Sequence, residues 1–193
     1  TGSAPKGIEV WNASSRDVDF AREPLHVLAY TNGSATFERE ASVEMGTLPK
    51  GAVLVIGDAT CGDHLAAQGL VTTPSGGFAA LANGWVVTNA AGHVVFVKDS
   101  FAFNGDDALE IQLASERCDV FGTPGQDPGT AWTTAGNPVV STEARNLALK
   151  PTALQPMPAW TSPGERFAVV TGGALTGFGV APVVDDPFAL WAA

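Results

Sequence analysis

A chain of 193 residues that is 45% hydrophobic and 8% aromatic is long enough to bury one substantial core, which excludes a disordered or fibrous polypeptide. Its formal net charge is −10, and its ten Lys and Arg residues are scattered, which excludes binding to duplex nucleic acid by counterion release and attraction to an anionic membrane surface. No apolar run approaches the ~18 residues of a membrane-spanning helix.

The chain starts Thr1-Gly2-Ser3-Ala4-Pro5, without Met, as a chain does after losing a signal peptide or when it carries residues left by expression. Ile8 and Val10 alternate with Glu9 and predict a first strand, followed by a polar turn at Asn12-Ala13-Ser14-Ser15-Arg16-Asp17. Val18-Asp19-Phe20 resumes the alternation. Leu25-His26-Val27-Leu28-Ala29-Tyr30 is a clear strand, closed by the turn signal Thr31-Asn32-Gly33-Ser34. Residues 37–45 alternate more weakly, with acidic outer positions. Ala52-Val53-Leu54-Val55-Ile56 is a continuous apolar run, the pattern of a strand buried on both faces. Residues 64–68 predict one helical turn, ended at Thr72-Thr73-Pro74-Ser75-Gly76-Gly77. Trp85-Val86-Val87 and His93-Val94-Val95-Phe96-Val97 are further strand signals.

Residues 101–132 form the centre of the pattern. Asn104-Gly105-Asp106-Asp107 is a turn, because Asn and Gly accept positive φ and Asp bonds to nearby N–H groups. Leu109, Ile111 and Leu113 then alternate with Glu110 and Gln112. Ala114-Ser115-Glu116-Arg117 turns the chain, and Cys118, Val120 and Phe121 carry it back. Asp127-Pro128-Gly129 ends the unit, with Trp132 as an apolar anchor. Residues 133–140 read as loop, 145–149 as a short strand, 151–158 as irregular, and 167–170 as a last strand before a Gly-punctuated run. No helix longer than a turn or two, no repeat and no heptad is expected, and many short strands predict a β-sandwich or barrel.

Two cysteines allow one pairing. The low Lys content and the Gly- and Pro-rich β pattern favour a Cys61–Cys118 disulfide, which would stabilise the fold by roughly 4 kcal/mol. The alternative is two unpaired thiols acting as small hydrophobes. Asp106 and Asp107 offer hard oxygen ligands for Ca²⁺, with Asp58, Asp63, Asp99 and Asp119 elsewhere, although no EF-hand register exists. The structural reading, in which the turn acids serve backbone N–H groups, weighs more. His64, beside Asp63 and near Cys61, is the arrangement closest to a catalytic one, and oxidation of Cys61 would remove its nucleophile. No nucleophile elbow, zinc-protease, Walker or dinucleotide motif occurs. Asn12-Ala13-Ser14 and Asn32-Gly33-Ser34 fit the glycosylation sequon. Trp11, Trp85, Trp132, Trp160 and Trp191 offer sugar-stacking faces or, more commonly, core and loop anchors.

Several of these segments recur together elsewhere. Gly7-Ile8-Glu9-Val10-Trp11-Asn12, Gly51-Ala52-Val53-Leu54-Val55-Ile56-Gly57, Phe103-Asn104-Gly105-Asp106-Asp107-Ala108-Leu109, Asp119-Val120-Phe121-Gly122 and Asp127-Pro128-Gly129-Thr130-Ala131-Trp132 stand in the order of the lamin tail domain. The chain resembles the version in secreted bacterial proteins, over roughly residues 7–160. Arg145-Asn146-Leu147 and Trp160 extend the resemblance weakly. It implies an all-β, immunoglobulin-like β-sandwich with long loops over residues 1–180 and a C-terminal tail over 181–193. Asn104, Gly105, Asp106, Asp107, Asp127, Pro128, Gly129 and Trp132 are then a structural turn motif. The family's usual strand before the first motif has no counterpart here, so either the C-terminal run replaces it or a sheet edge is open to another chain.

The function expected from this reading is non-catalytic: a secreted or cell-surface module for binding, adhesion or assembly, with no resident cofactor. Its partner would be a protein or a surface polymer, or a second copy meeting it through a sheet edge or the tail. Phe188, Leu190 and Trp191 are the expected tail contacts. The alternatives are a subunit that polymerises by strand exchange and a small metal-dependent extracellular hydrolase.

Overall fold

The structure is a computed structural model that describes residues 5–135 and 140–182. The strands are β1 (Gly7–Trp11), β2 (Val18–Asp19), β3 (Leu25–Tyr30), β4 (Arg39–Val43), β5 (Thr47–Leu48) and β6 (Val53–Gly57). Helix α1 (Ala59–Ala67) follows, then β7 (Val86–Thr88), β8 (Val94–Lys98), β9 (Ala108–Leu113) and β10 (Glu116–Phe121). The chain ends with β11 (Thr133–Thr134), β12 (Val140–Ser141), β13 (Leu147–Leu149), α2 (Pro163–Arg166) and β14 (Phe167–Val169). The fold is all-β with few helices.

Two four-stranded sheets carry the molecule, in the orders β1-β6-β8-β7 and β10-β9-β3-β4. Alternation along each strand decides which side chains lie between them. Leu25, Val27 and Ala29 of β3 meet Leu54 and Ile56 of β6, Val95 and Val97 of β8, and Phe20, all buried in one shared core. The two-residue ladder β2–β5 closes it with Val18 and Leu48. The expected strands thus appear where the alternation put them.

The first sheet is apolar on both faces, as the run at residues 52–56 predicts. Val53, Val55, Val94 and Phe96 point away from the shared core into a second cluster with Cys61, Leu65, Phe78 and Leu175. Helix α1 covers that face. It is nine residues long, longer than the single turn expected. Asp58 caps it by accepting from the Cys61 N–H at 3.2 Å. It ends at Gly69 (φ +71), where Leu70 N donates to Leu65 O and Gly69 N to Ala66 O, both at 2.9 Å, a Schellman close. Mid-helix Gly62 hides the helix from propensity reasoning. A Cβ there would lie 2.4 Å from the Phe78 ring, so packing demands the glycine that weakens the helix. The chain after β6 passes through α1 to β7, which turns back antiparallel into β8, so β6 and β8 run parallel, a pairing that local pattern does not announce.

The thiols do not form the expected disulfide. Cys61 is a free thiol buried under the first sheet, and Cys118 is a free, half-buried thiol on β10 of the second sheet, at the bulge between Arg117 and Asp119. A layer of core separates their elements, and each sulfur meets a backbone carbonyl, Lys6 O at 3.3 Å and Glu116 O at 3.5 Å. The sequon at Asn12 is also spent. Its side-chain amide is buried and donates to Arg16 O, Leu48 O and Pro49 O, whereas Asn32 is exposed.

The edges differ. The segment running into β14 lies against β10, where Phe121 packs at an angle on Trp160 and Phe167 with ring centroids 5.1 and 5.5 Å away. Residues 178–179 meet β1: a Cβ on Gly7 would lie 2.8 Å from Phe178, and Gly179 N donates to Glu9. Strand β14 pairs with β13 rather than completing either main sheet, so the C-terminal run covers edges and supplies no missing strand. Residues 133–140, read as loop, hold the short ladder β11–β12. On the other side, β4 and β7 are the terminal strands, brought together where a Cβ on Gly46 would lie 3.7 Å from Val86. Phe37 and Met45, on either side of β4 in the chain, and Trp85, just before β7, are 49%, 61% and 55% exposed.

Candidate functional site

The turn residues named from sequence converge on one corner. Asp107 is 3% exposed. Its Oδ2 accepts from Asn104 N at 2.8 Å and its Oδ1 from Asn32 N at 3.1 Å, so one carboxylate ties two turns that are 75 residues apart. Trp132 Nε1 donates to Asp107 O at 3.2 Å. Gly105 allows the Thr142–Glu143 backbone to approach, since a Cβ would lie 2.7 Å from Glu143 Cα, and Thr142 Oγ1 donates to Gly105 O. The Asp127-Pro128-Gly129 turn closes on itself through Gly129 N to Asp127 Oδ1 at 2.7 Å. It packs on Gly33, where a Cβ would stand 2.8 Å from Asp127.

In this arrangement the acids of the turn serve the backbone. Both oxygens of Asp107 are already acceptors for backbone N–H groups, and Asp106 makes no acidic cluster with it. Among the described residues no three His, Cys, Asp or Glu side chains converge as metal ligands. Phe188, Leu190 and Trp191 lie outside the described residues.

The Cys61–Asp63–His64 arrangement is not assembled for nucleophilic chemistry. Burial first, then Asp58, push the Cys61 thiol up to about 12, so it is protonated at any physiological pH. Asp63 is exposed on the opposite side of α1 from the buried Cys61 face, and His64 instead rims a cavity of about 270 Å³ with Gln68, Leu70 and Phe178. His26 Nδ1 lies 2.6 Å from Glu40 Oε1, a surface pair across β3 and β4, and His93 is exposed.

Sequence reasoning missed two buried charged groups. Glu110 sits on the outer face of the second sheet, 3% exposed. Burial pushes its carboxyl up, but bonds from Arg117 and Gln112, with Tyr30 at 3.3 Å, outweigh this and hold it below the usual carboxylate range. The second is Arg166, paired with Asp119 at the β10 edge. Nothing local in the sequence joins two residues 47 positions apart.

Glu9 is the acid most perturbed upward. Burial raises it to about 7, against the pull of the Gly179 N–H bond at 2.6 Å. Between the ordinary 4.5 and about 7 the folded state therefore holds more protons than the unfolded chain, so stability falls as pH rises through that window. Glu9→Gln keeps an oxygen for Gly179 N and removes the charge. Urea titrations should show the variant more stable than the parent by about 1–3 kcal/mol at about pH 8 and level with it at about pH 4. Equal stability at the higher pH would contradict the buried carboxylate.

Near the corner lies a cavity of about 210 Å³, lined by Thr123, Gln126, Trp132, Thr133, Trp160, Thr161, Ser162 and Pro163. Trp132 and Trp160 meet edge to face there, centroids 6.1 Å apart and planes at 71°. Comparison with protein-family models, with curated proteins and with solved structures finds no match to this chain.

Proposed function

We propose that the protein is an immunoglobulin-like β-sandwich of the lamin tail type that works outside the cell or on its surface as a non-catalytic binding module. Support for the kinship comes from the order of the motif segments and from the part each plays in the two sheets: β1, β6, the Asp107 corner, the return strand β10 and the turn before Trp132. The parallel β6–β8 pair is the feature that an antiparallel sandwich would not require.

One observation carries the binding role. Strand β4 ends its sheet with no partner on its outer edge among the described residues, while Phe37 just before it, Met45 just after it and Trp85 just before the terminal strand β7 stand exposed. A row of unpaired N–H and C=O groups flanked by apolar side chains accepts an extended segment by strand addition. Glu40 in β4 and Glu38 and Glu44 beside it outnumber Arg39 and, with the net charge of −10, favour a basic extended peptide over a second copy of this acidic chain.

The test places a photo-crosslinking residue at Met45 or, as a control, at the exposed Ser75, in the native setting. The reading expects a discrete protein adduct from position 45 and none from position 75. Equal adducts from both positions overturn it. So does turnover of a hydrolase substrate that is lost in His64→Ala. Sedimentation of the purified chain distinguishes self-assembly, which would appear as concentration-dependent dimers lost in a Phe37→Ser/Met45→Ser variant.

A further inference from the structure

We propose that the cavity between Trp132 and Trp160 is a binding subsite for a neutral sugar ring of a glycan. The inference does not depend on edge β4, which lies on the other side of the sheets from the covered β10 edge. It begins with what lines the cavity: two indoles, the hydroxyls of Thr123, Thr133 and Ser162, and the amide of Gln126. None of the lining residues is charged, in a chain whose net charge is −10.

The lining groups match parts of a pyranose, with the half-buried Trp160 rather than the buried Trp132 offering indole surface. An indole face carries negative quadrupole density and attracts the weakly positive C–H face of a sugar, while neutral hydroxyl and amide groups both donate to and accept from ring hydroxyls. A charged ligand would find no counter-ion here and would lose hydration on entry. The volume of about 210 Å³ lies below the ~300–1,000 Å³ of drug-sized sites and suits a single ring with its chain continuing outside.

The rings are held in advance of any ligand. Trp132 is fixed by its bond to Asp107 O at 3.2 Å and by Gly122, where a Cβ would lie 2.8 Å from the indole. Trp160 is half-buried, wedged between Trp132 and Phe121. Fixed aromatic surface costs little ordering on binding. An independent sign is Ser162, whose Oγ is buried yet has no hydrogen-bond partner among the described residues.

The experiment titrates the full chain with neutral oligosaccharides (cellohexaose, maltohexaose, xylohexaose and chitohexaose) and with acidic oligogalacturonate, following tryptophan fluorescence and heat. At least one neutral probe should bind in the micromolar-to-millimolar range, with the acidic probe at least tenfold weaker. Trp160→Ala should lose tenfold or more in affinity. Gln126→Ala, an exposed turn position, should lose severalfold without changing the melting temperature, so it serves if Trp160→Ala fails to fold. No binding of any neutral probe at millimolar concentration overturns the proposal. So does unchanged affinity in Gln126→Ala and Trp160→Ala, or preferential binding of the acidic probe.

Discussion

Asp119→Ala is expected to cost about 3–5 kcal/mol in unfolding free energy, because it strands a buried guanidinium. Arg166 is 2% exposed. Its Nη1 meets Asp119 Oδ1 at 2.5 Å and its Nη2 meets Oδ2 at 3.0 Å, a bidentate pair. Its only further hydrogen bond among the described residues is Nη2 to Gln155 O at 3.3 Å, the guanidinium carbon lies 5.5 Å from the Phe167 ring centroid, and Nε has no partner. Removing the carboxylate leaves a buried charge held by one carbonyl and one aromatic ring, with no counter-ion. The double variant Asp119→Leu/Arg166→Met should recover most of the loss, since the desolvation penalty disappears with both charges. Urea denaturation of the two variants measures this. A loss under about 1 kcal/mol in Asp119→Ala would mean that Arg166 reaches solvent and that the C-terminal segment does not seal the β10 edge.

Asp107→Ala should cost about 2–4 kcal/mol, the sum of two unsatisfied backbone donors. The donors are Asn32 N and Asn104 N, and neither has another acceptor among the described residues. Asp107→Asn should cost roughly half as much, because an amide oxygen still accepts one of the two bonds while its NH₂ faces the other donor. Asp127→Ala, at an exposed residue whose carboxylate bonds only within its own turn among the described residues, should cost under about 1 kcal/mol. The ranking checks the corner, not merely the presence of acids. If Asp127→Ala proved as damaging as Asp107→Ala, the carboxylate of Asp107 would not be the tie between the turns.

The structural turn motif was legible because its signals are local. Asn104 and Asp107 are three residues apart, and an Asp bonding back to a preceding N–H needs no distant partner. Helix α1 was legible only at its ends, in the Asp58 cap and the Gly69 close, since Gly62 lowers the propensity of its middle. The disulfide expectation failed because composition speaks for a compartment and not for where two side chains lie. The cavity was foreshadowed by the tryptophans, but which two of five would meet was not. Trp11 packs under the first sheet and Trp85 is exposed, while Trp132 and Trp160 are brought together by a segment folding back along β10.

By itself, then, the sequence determined the extended segments, the faces they bury and the turns that join them, because side-chain alternation and backbone preference act within a few residues. The tertiary structure alone decided that β6 and β8 run parallel, that Asn32, Asp107 and Trp132 share a corner, that Arg166 finds Asp119, and that two thiols stay apart. Those outcomes depend on which distant surfaces exclude water from one another, and no stretch of the chain carries that information until all of it has packed.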